Sequence, residues 1–304
     1  VYETVRHYSS KIDGVYYEVW NEPSLPSFGA WKMYGAKDYR KLYHYAVLGA
    51  SQARGVKSYK IGGPSIPEMD PVWIKLLFDY CKENNLRLDF VSWHRYTFDP
   101  LQFVDDVYQV NVLLADTRYS RFKGVEKVIT EWGPNSYKDQ VYSSNVAASH
   151  AVAVIRRMLD KVSWLFTFEV KDGPQQGQSG WGLLTHQSVG MRAKPRFYLF
   201  NWLAEFKGQR VEVLGEGSQI KGFAVKKGST VTVILTNYNP YNPQEESFTF
   251  TFGQLDKGEY RLLRQQLFKN PQEKIVKTDG GSLTFNITLP PYAVYRVELT
   301  KLAN

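Results

Sequence analysis

Two glutamates carry the chemistry for which this sequence can be read. Glu22 closes the run Glu18-Val19-Trp20-Asn21-Glu22-Pro23, and Glu131 closes Val128-Ile129-Thr130-Glu131-Trp132-Gly133. Each run is apolar, β-branched or aromatic, ends in a carboxylate and breaks at Pro or Gly. A buried parallel strand with an acid at its C-terminal end reads this way. In parallel α/β folds the functional groups gather at that end. Two carboxylates delivered there by two strands suit hydrolysis of a glycosidic bond, with one as acid and base and the other as nucleophile or base. Retention of configuration calls for carboxyls about 5–5.5 Å apart, inversion for about 6.5–9.5 Å. At the shorter spacing two like charges cannot both ionise cheaply, so the carboxyl that serves as acid is expected to be raised by its ionised neighbour.

Such a pair needs strands that end on one side, and the first two-thirds of the chain supplies them. Strand-like runs at Val15–Trp20, Tyr59–Gly62, Phe90–Trp93, Lys127–Glu131 and Val162–Val170 alternate with helix-like segments at 39–54, 71–84, 100–119, 145–161 and 194–207. In the first of these helices Tyr39, Leu42, Tyr43, Ala46, Val47 and Ala50 share a face, and Asp70 with Pro71 opens the second. This strict β-α order predicts a parallel sheet wrapped by helices. His94 and Tyr96 follow the third strand two residues apart, so they face the same way. From Arg210 the grammar changes to short alternating strands at 219–225, 230–237, 247–252, 259–267, 282–289 and 293–299, separated by turns such as Asn239-Pro240-Tyr241-Asn242-Pro243. The expected division is 1–208 for the part that carries the glutamates and 209–304 for an antiparallel β-sandwich.

Composition narrows the function classes. The 304 residues include 21 Tyr, 17 Phe and 8 Trp, 15% aromatic in all, which serves both core packing and stacking on sugar rings. The net charge of +8 comes from scattered Lys and Arg without a basic run, so nucleic acid is not an expected partner. No apolar stretch reaches the length of a membrane span. The one cysteine, Cys81, excludes an internal disulfide and reads as a buried thiol on an amphipathic helix. There is no His-x-x-x-His, cysteine pair, Asp-rich loop or Gly-rich phosphate loop, so no metal and no cofactor is expected.

Glu18–Pro23, Trp93-His94-Arg95-Tyr96, Thr130-Glu131-Trp132-Gly133, Lys194-Pro195-Arg196-Phe197-Tyr198 and Leu289-Pro290-Pro291-Tyr292-Ala293-Val294 together resemble the retaining glycosidases of clan A. Within that clan they are most similar to glycoside hydrolase family 39, the family of β-xylosidases and α-L-iduronidases. The resemblance implies a (β/α)8 TIM barrel with an accessory β-sandwich and a retaining hydrolysis in which Glu22 is acid/base and Glu131 nucleophile. It implies that Asn21 bonds the sugar 2-hydroxyl, that Tyr96 orients Glu131 and that His94 lines the subsite. Phe168 at the end of the last strand, with Glu169 beside it, would floor or edge that subsite, and Trp31 and Trp181 in catalytic-side loops are candidate sugar platforms. The five strands then number four to eight of the barrel. An N-terminal barrel fragment, from a separate chain or another protomer, is therefore an expected partner beside the carbohydrate substrate. The resemblance favours an extracellular, periplasmic or lysosomal-type compartment. A glycan-binding protein without catalysis, or one half of a two-chain glycosidase inactive alone, remains open on the sequence.

Overall fold

The structure is a computed structural model that describes residues 1–174 and 180–303. Helix α1 (Tyr2–Ser9) leads into five parallel strands, β1 (Val15–Glu18), β2 (Tyr59–Ile66), β3 (Phe90–Tyr96), β4 (Glu126–Gly133) and β5 (Trp164–Leu165), which lie side by side in chain order. Helices α2 (Tyr39–Ser51), α3 (Pro71–Glu83), α4 (Pro100–Ala115) and α5 (Asn145–Met158) fall between successive strands, and α6 (Pro195–Glu205) follows the last. Asp38 and Asp70 cap α2 and α3 by accepting from Arg40 N and Val72 N, at 3.0 and 2.8 Å.

The chain divides into two compact units. One comprises Val1–Tyr96, Leu101–Trp132 and Met158–Thr167, and the other Thr97–Pro100, Gly133–Arg157 and Phe168–Asn304.

The first unit holds the parallel sheet. Its helices bury one face each: Tyr39, Tyr43, Ala46, Val47 and Ala50 on α2, Ile74, Leu77, Phe78 and Cys81 on α3, and Phe103, Asp106, Val107 and Val110 on α4. Burying a side chain of the Leu, Ile or Phe size contributes about 1.5–3 kcal/mol, so these three stripes hold the helices without strong intrinsic propensity. Burial pushes the Cys81 thiol up to about 12, which keeps it neutral.

The sheet is strongly curled. Strands β1 and β4 stand three places apart, about 14 Å in a flat sheet at about 4.8 Å per strand. Yet the Tyr16 hydroxyl donates to Glu126 Oε2 at 2.6 Å and the Thr130 hydroxyl donates to Glu18 Oε1 at 2.8 Å. Lys60 of β2 also pairs with Glu126. Only a half-barrel curvature lets inner-face side chains converge across two intervening strands. Gly62 of β2 permits close approach, because a Cβ there would strike the Phe90 ring and carbonyl.

Two strand limits differ from the sequence reading. β1 stops at Glu18, because Trp20 (φ 75°) and Glu22 (φ 42°) take left-handed backbone and turn the chain out of the ladder. The run Val162–Val170 contracts to Trp164–Leu165, paired with Val128 and Ile129. It is an edge strand, and Trp164 and Phe166, stacked at 6.0 Å, are each about half exposed.

The second unit contains strands β6 (Gln209–Val211), β7 (Ile220–Lys227), β8 (Thr230–Asn237), β9 (Glu246–Leu255), β10 (Gly258–Gln266), β11 (Gln272–Thr278), β12 (Gly281–Leu289) and β13 (Val294–Lys301). Six of them form an antiparallel sheet in the order β11-β10-β13-β8-β7-β6, and β9 pairs with β12. The two sheets share one apolar cluster, in which Phe252, Ile287 and Leu289 meet Ile220, Val233, Leu235, Val297 and Leu299.

Candidate active site

The C-terminal ends of β1, β3 and β4 and the segments that follow bring four of the expected residues together within the first unit. After β1, the Val19 carbonyl accepts from the buried Tyr39 hydroxyl at 2.7 Å, and Gly63 leaves the space that hydroxyl occupies. Glu22 is then fixed by its backbone, whose N–H donates to the Ser65 carbonyl at 2.9 Å. From β3, His94 and Tyr96 point to the same face, while Arg95 points to the other. Arg95 donates to Asp106 of α4 at 2.6 and 2.7 Å, and Trp93 Nε1 donates to the same carboxylate at 3.1 Å. These bonds anchor the strand end that carries His94.

His94 is fully buried and sits between the two glutamates. Its Nδ1 lies 3.0 Å from Glu22 Oε1 and 3.5 Å from Glu131 Oε2, and its Nε2 lies 3.0 Å from Ser65 Oγ. The Tyr96 hydroxyl donates to Glu131 Oε2 at 2.9 Å. Oxygens of Glu22 and Glu131 and the His94 Nδ1 all fall within 4.8 Å of one another.

Burial pushes the Glu131 carboxyl above its usual range. His94 and the Tyr96 hydroxyl pull it back, while Glu22 and Glu18 push it further up. Among the described residues Glu22, His94 and Glu131 are also the set that could surround a divalent ion. Of the approaches within it, that of His94 Nδ1 to Glu22 Oε1 has hydrogen-bonding length.

The other expected residues lie around this core or elsewhere. Asn21 is partly buried beside Glu22. Trp31 packs edge-on against Trp20 with centroids 5.9 Å apart, and the half-exposed Trp20 donates from Nε1 to the Phe28 carbonyl at 2.7 Å. Trp132 is buried against Phe103. Phe168, Glu169 and Trp181 belong to the second unit, where Phe168 and Trp181 pack at 5.8 Å. Nearby, Lys194 and Asp172 form a buried ion pair at 2.6 Å, and Arg196 donates to the Phe168 carbonyl at 3.2 Å.

Sequence reasoning missed Ser65, Glu18, Thr130 and Trp20. Ser65 follows Gly62-Gly63-Pro64 near the end of β2, and its contacts with His94 and Glu22 depend on strand register. Glu18 lies four residues before Glu22 and Thr130 one before Glu131, and their mutual contact follows only from the curl.

A curled parallel sheet thus carries two carboxylates at its strand ends, with His94 between them and Tyr96 bonded to Glu131. Residues 3–162 match the glycosyl hydrolases family 39, and the chain belongs to that family. It is similar to a β-xylosidase of Caldicellulosiruptor saccharolyticus, 27% identical over 261 residues, covering 78% of this chain and 51% of that protein. A β-xylosidase of Geobacillus stearothermophilus is 29% identical over 246 residues, covering 72% and 46%. The chain thus spans about half the length of the curated relatives it matches. Among solved structures, a monomeric β-xylosidase from Caulobacter crescentus CB15 superposes with a TM-score of 0.77 at 22% identity, over 94% of this chain and 69% of that one. The family 39 enzyme of Xanthomonas axonopodis pv. citri gives 0.78 at 18% identity, over 99% and 69%. No helix among the described residues is long and apolar enough to cross a membrane.

Proposed function

We propose that the protein is a retaining glycoside hydrolase that cleaves O-glycosidic bonds by double displacement. The observation that carries this reading is the convergence of Glu22 and Glu131 around His94, with one oxygen of each within 4.8 Å of the other, a closeness that suits a retaining pair. Glu131 attacks the anomeric carbon and forms a glycosyl ester, while Glu22 protonates the leaving oxygen. Glu22 then takes a proton from the water that hydrolyses the ester. Tyr96 keeps Glu131 aimed, and Asn21 bonds the sugar 2-hydroxyl. The Trp20–Trp31 pair, on the loop that carries the acid, stacks on the leaving-group side. For Phe168, Glu169 and Trp181 as sugar contacts, the support is the family resemblance alone. Similarity to β-xylosidases makes a xyloside the first substrate to try.

On this reading β1 to β5 are strands four to eight of a (β/α)8 barrel in residues 1–208, and residues 209–304 form a β-sandwich. The exposed inner face at Trp164 and Phe166 calls for further strands, supplied from outside these residues, to close the barrel. The test is intact-protein mass spectrometry after incubation with 2-deoxy-2-fluoroxylosyl fluoride and related sugars, on material that keeps any co-purifying chain. A glycosyl mass gain on the peptide holding Glu131 is expected. No labelling by any sugar would refute the catalytic reading and favour a glycan-binding protein or an incomplete half.

A further inference from the structure

We infer that Ser65 is a positioning residue for the acid/base Glu22, holding both ends of it: the backbone through the Ser65 carbonyl, and the carboxylate through His94. The inference rests on the reading of Glu22 as acid/base.

Ser65 is fully buried and has φ 55°, a left-handed conformation that glycine adopts at less cost. What serine adds over glycine is the hydroxyl, and that hydroxyl has a defined partner. Its Oγ lies 3.0 Å from His94 Nε2, and its own N–H donates to Ser92 Oγ at 3.1 Å, which fixes the serine in turn. Its carbonyl accepts the Glu22 N–H at 2.9 Å. One residue on β2 therefore ties the loop after β1 to the side chains of β3.

The hydrogen-bond roles follow from the donor inventory. Glu22 Oε1 faces the imidazole as an acceptor, so His94 Nδ1 carries the proton that points to it. A neutral ring then leaves Nε2 as an acceptor, buried, and the Ser65 hydroxyl is the donor that satisfies it. With Oε1 occupied as an acceptor, the proton that Glu22 delivers to a leaving group resides on Oε2. Without the hydroxyl, a buried Nε2 acceptor loses its partner. The ring is then drawn toward the other tautomer, which turns an unprotonated Nδ1 toward the Glu22 and Glu131 carboxylates.

The test compares wild type, Ser65→Gly and Ser65→Thr. Ser65→Gly suits the backbone and deletes the hydroxyl, and Ser65→Thr keeps the hydroxyl. Histidine 15N NMR of the full chain reads the His94 tautomer without turnover. A protonated Nδ1 is expected in wild type and Ser65→Thr, with loss of that signature in Ser65→Gly. Kinetics on the sugar that labels Glu131 provide the second readout. Ser65→Gly should lower kcat/KM about tenfold on an alkyl glycoside, which needs the acid, and less than about twofold on a 2,4-dinitrophenyl glycoside, which does not. A Ser65→Gly protein with the wild-type tautomer, or with equal losses on both leaving groups, would overturn the assignment. Absence of any labelling or turnover in wild type would refute the glycosidase reading instead, and the tautomer result would still decide the Ser65–His94 link.

Discussion

Replacing Tyr96 with Phe removes one oxygen and tests whether Glu131 is the nucleophile. The hydroxyl donates to Glu131 Oε2 at 2.9 Å, and it opposes the burial that pushes the Glu131 carboxyl up. A hydrogen bond to a charged group is worth about 1.5–3 kcal/mol. Its loss therefore weakens attack on the anomeric carbon by about 10–100-fold in kcat/KM for the glycosylation step. The sign of the pH effect is also fixed. The nucleophile must be ionised, and loss of a donor to its ionised form raises its pKa further. The acidic limb of the kcat/KM profile should consequently move to higher pH, with the basic limb in place. The assay is kcat/KM against pH on an aryl glycoside, with thermal unfolding of both proteins alongside. A Tyr96→Phe protein with an unmoved acidic limb and a rate within twofold of wild type would refute the role of Tyr96 and, with it, the orientation argued for Glu131.

Two further predictions concern stability. Because Glu131 is raised above its ordinary value of 4.5, its stabilising contribution is present below that value and lost as pH rises through the folded pKa. Glu131→Gln should therefore raise the midpoint of thermal unfolding at pH 7, with the gap closing toward pH 4; an unchanged gap across that range would contradict the account. Asp106→Asn leaves the partly buried Arg95 guanidinium without its counter-charge and weakens the Trp93 bond. Breaking such a pair typically costs about 3–5 kcal/mol, toward the lower end here because Arg95 also has Glu68 at 3.8 Å. Urea unfolding measures it, and a loss below about 1 kcal/mol would show that the β3 end is held by packing alone.

The elements that the sequence announces are those with both a period and a boundary. Asp70-Pro71 opens α3, the 3.6-residue stripe from Tyr39 to Ala50 is buried on α2, and the β-α alternation becomes the parallel sheet. The elements missed lack one or the other. β11 reads Gln-Glu-Lys-Ile-Val-Lys-Thr and lies at a sheet edge, where charged residues are tolerated because one side of the strand faces no partner. β6 is three residues long, held by pairing with β7 rather than by propensity. In the site, Glu22, His94, Tyr96 and Glu131 are legible because each terminates a strand-like run. Ser65 is not, because its contribution depends on register: only the curl of the sheet sets its hydroxyl opposite His94 Nε2 and its carbonyl opposite Glu22 N.

The backbone around Glu22 is strained in a way that fits this division. Trp20, Glu22 and Ser65 all have left-handed φ, at 75°, 42° and 55°, although none is glycine. Each such residue costs on the order of 1 kcal/mol and persists only where neighbours over-determine it. Here the neighbours are identifiable. Trp20 is tied through Nε1 to the Phe28 carbonyl, Glu22 through its N–H to Ser65, and Ser65 through its N–H to Ser92. The first of these bends ends β1 early, the second aims the Glu22 carboxylate at His94, and the third lets a serine rather than a glycine stand where a hydroxyl meets the imidazole. A regular strand running on to Glu22 would satisfy the backbone at lower cost, but with a period of two it could not give both Trp20 and Glu22 the directions seen here. The departure from strand geometry after Glu18 is thus what turns the end of a half-buried edge strand toward His94.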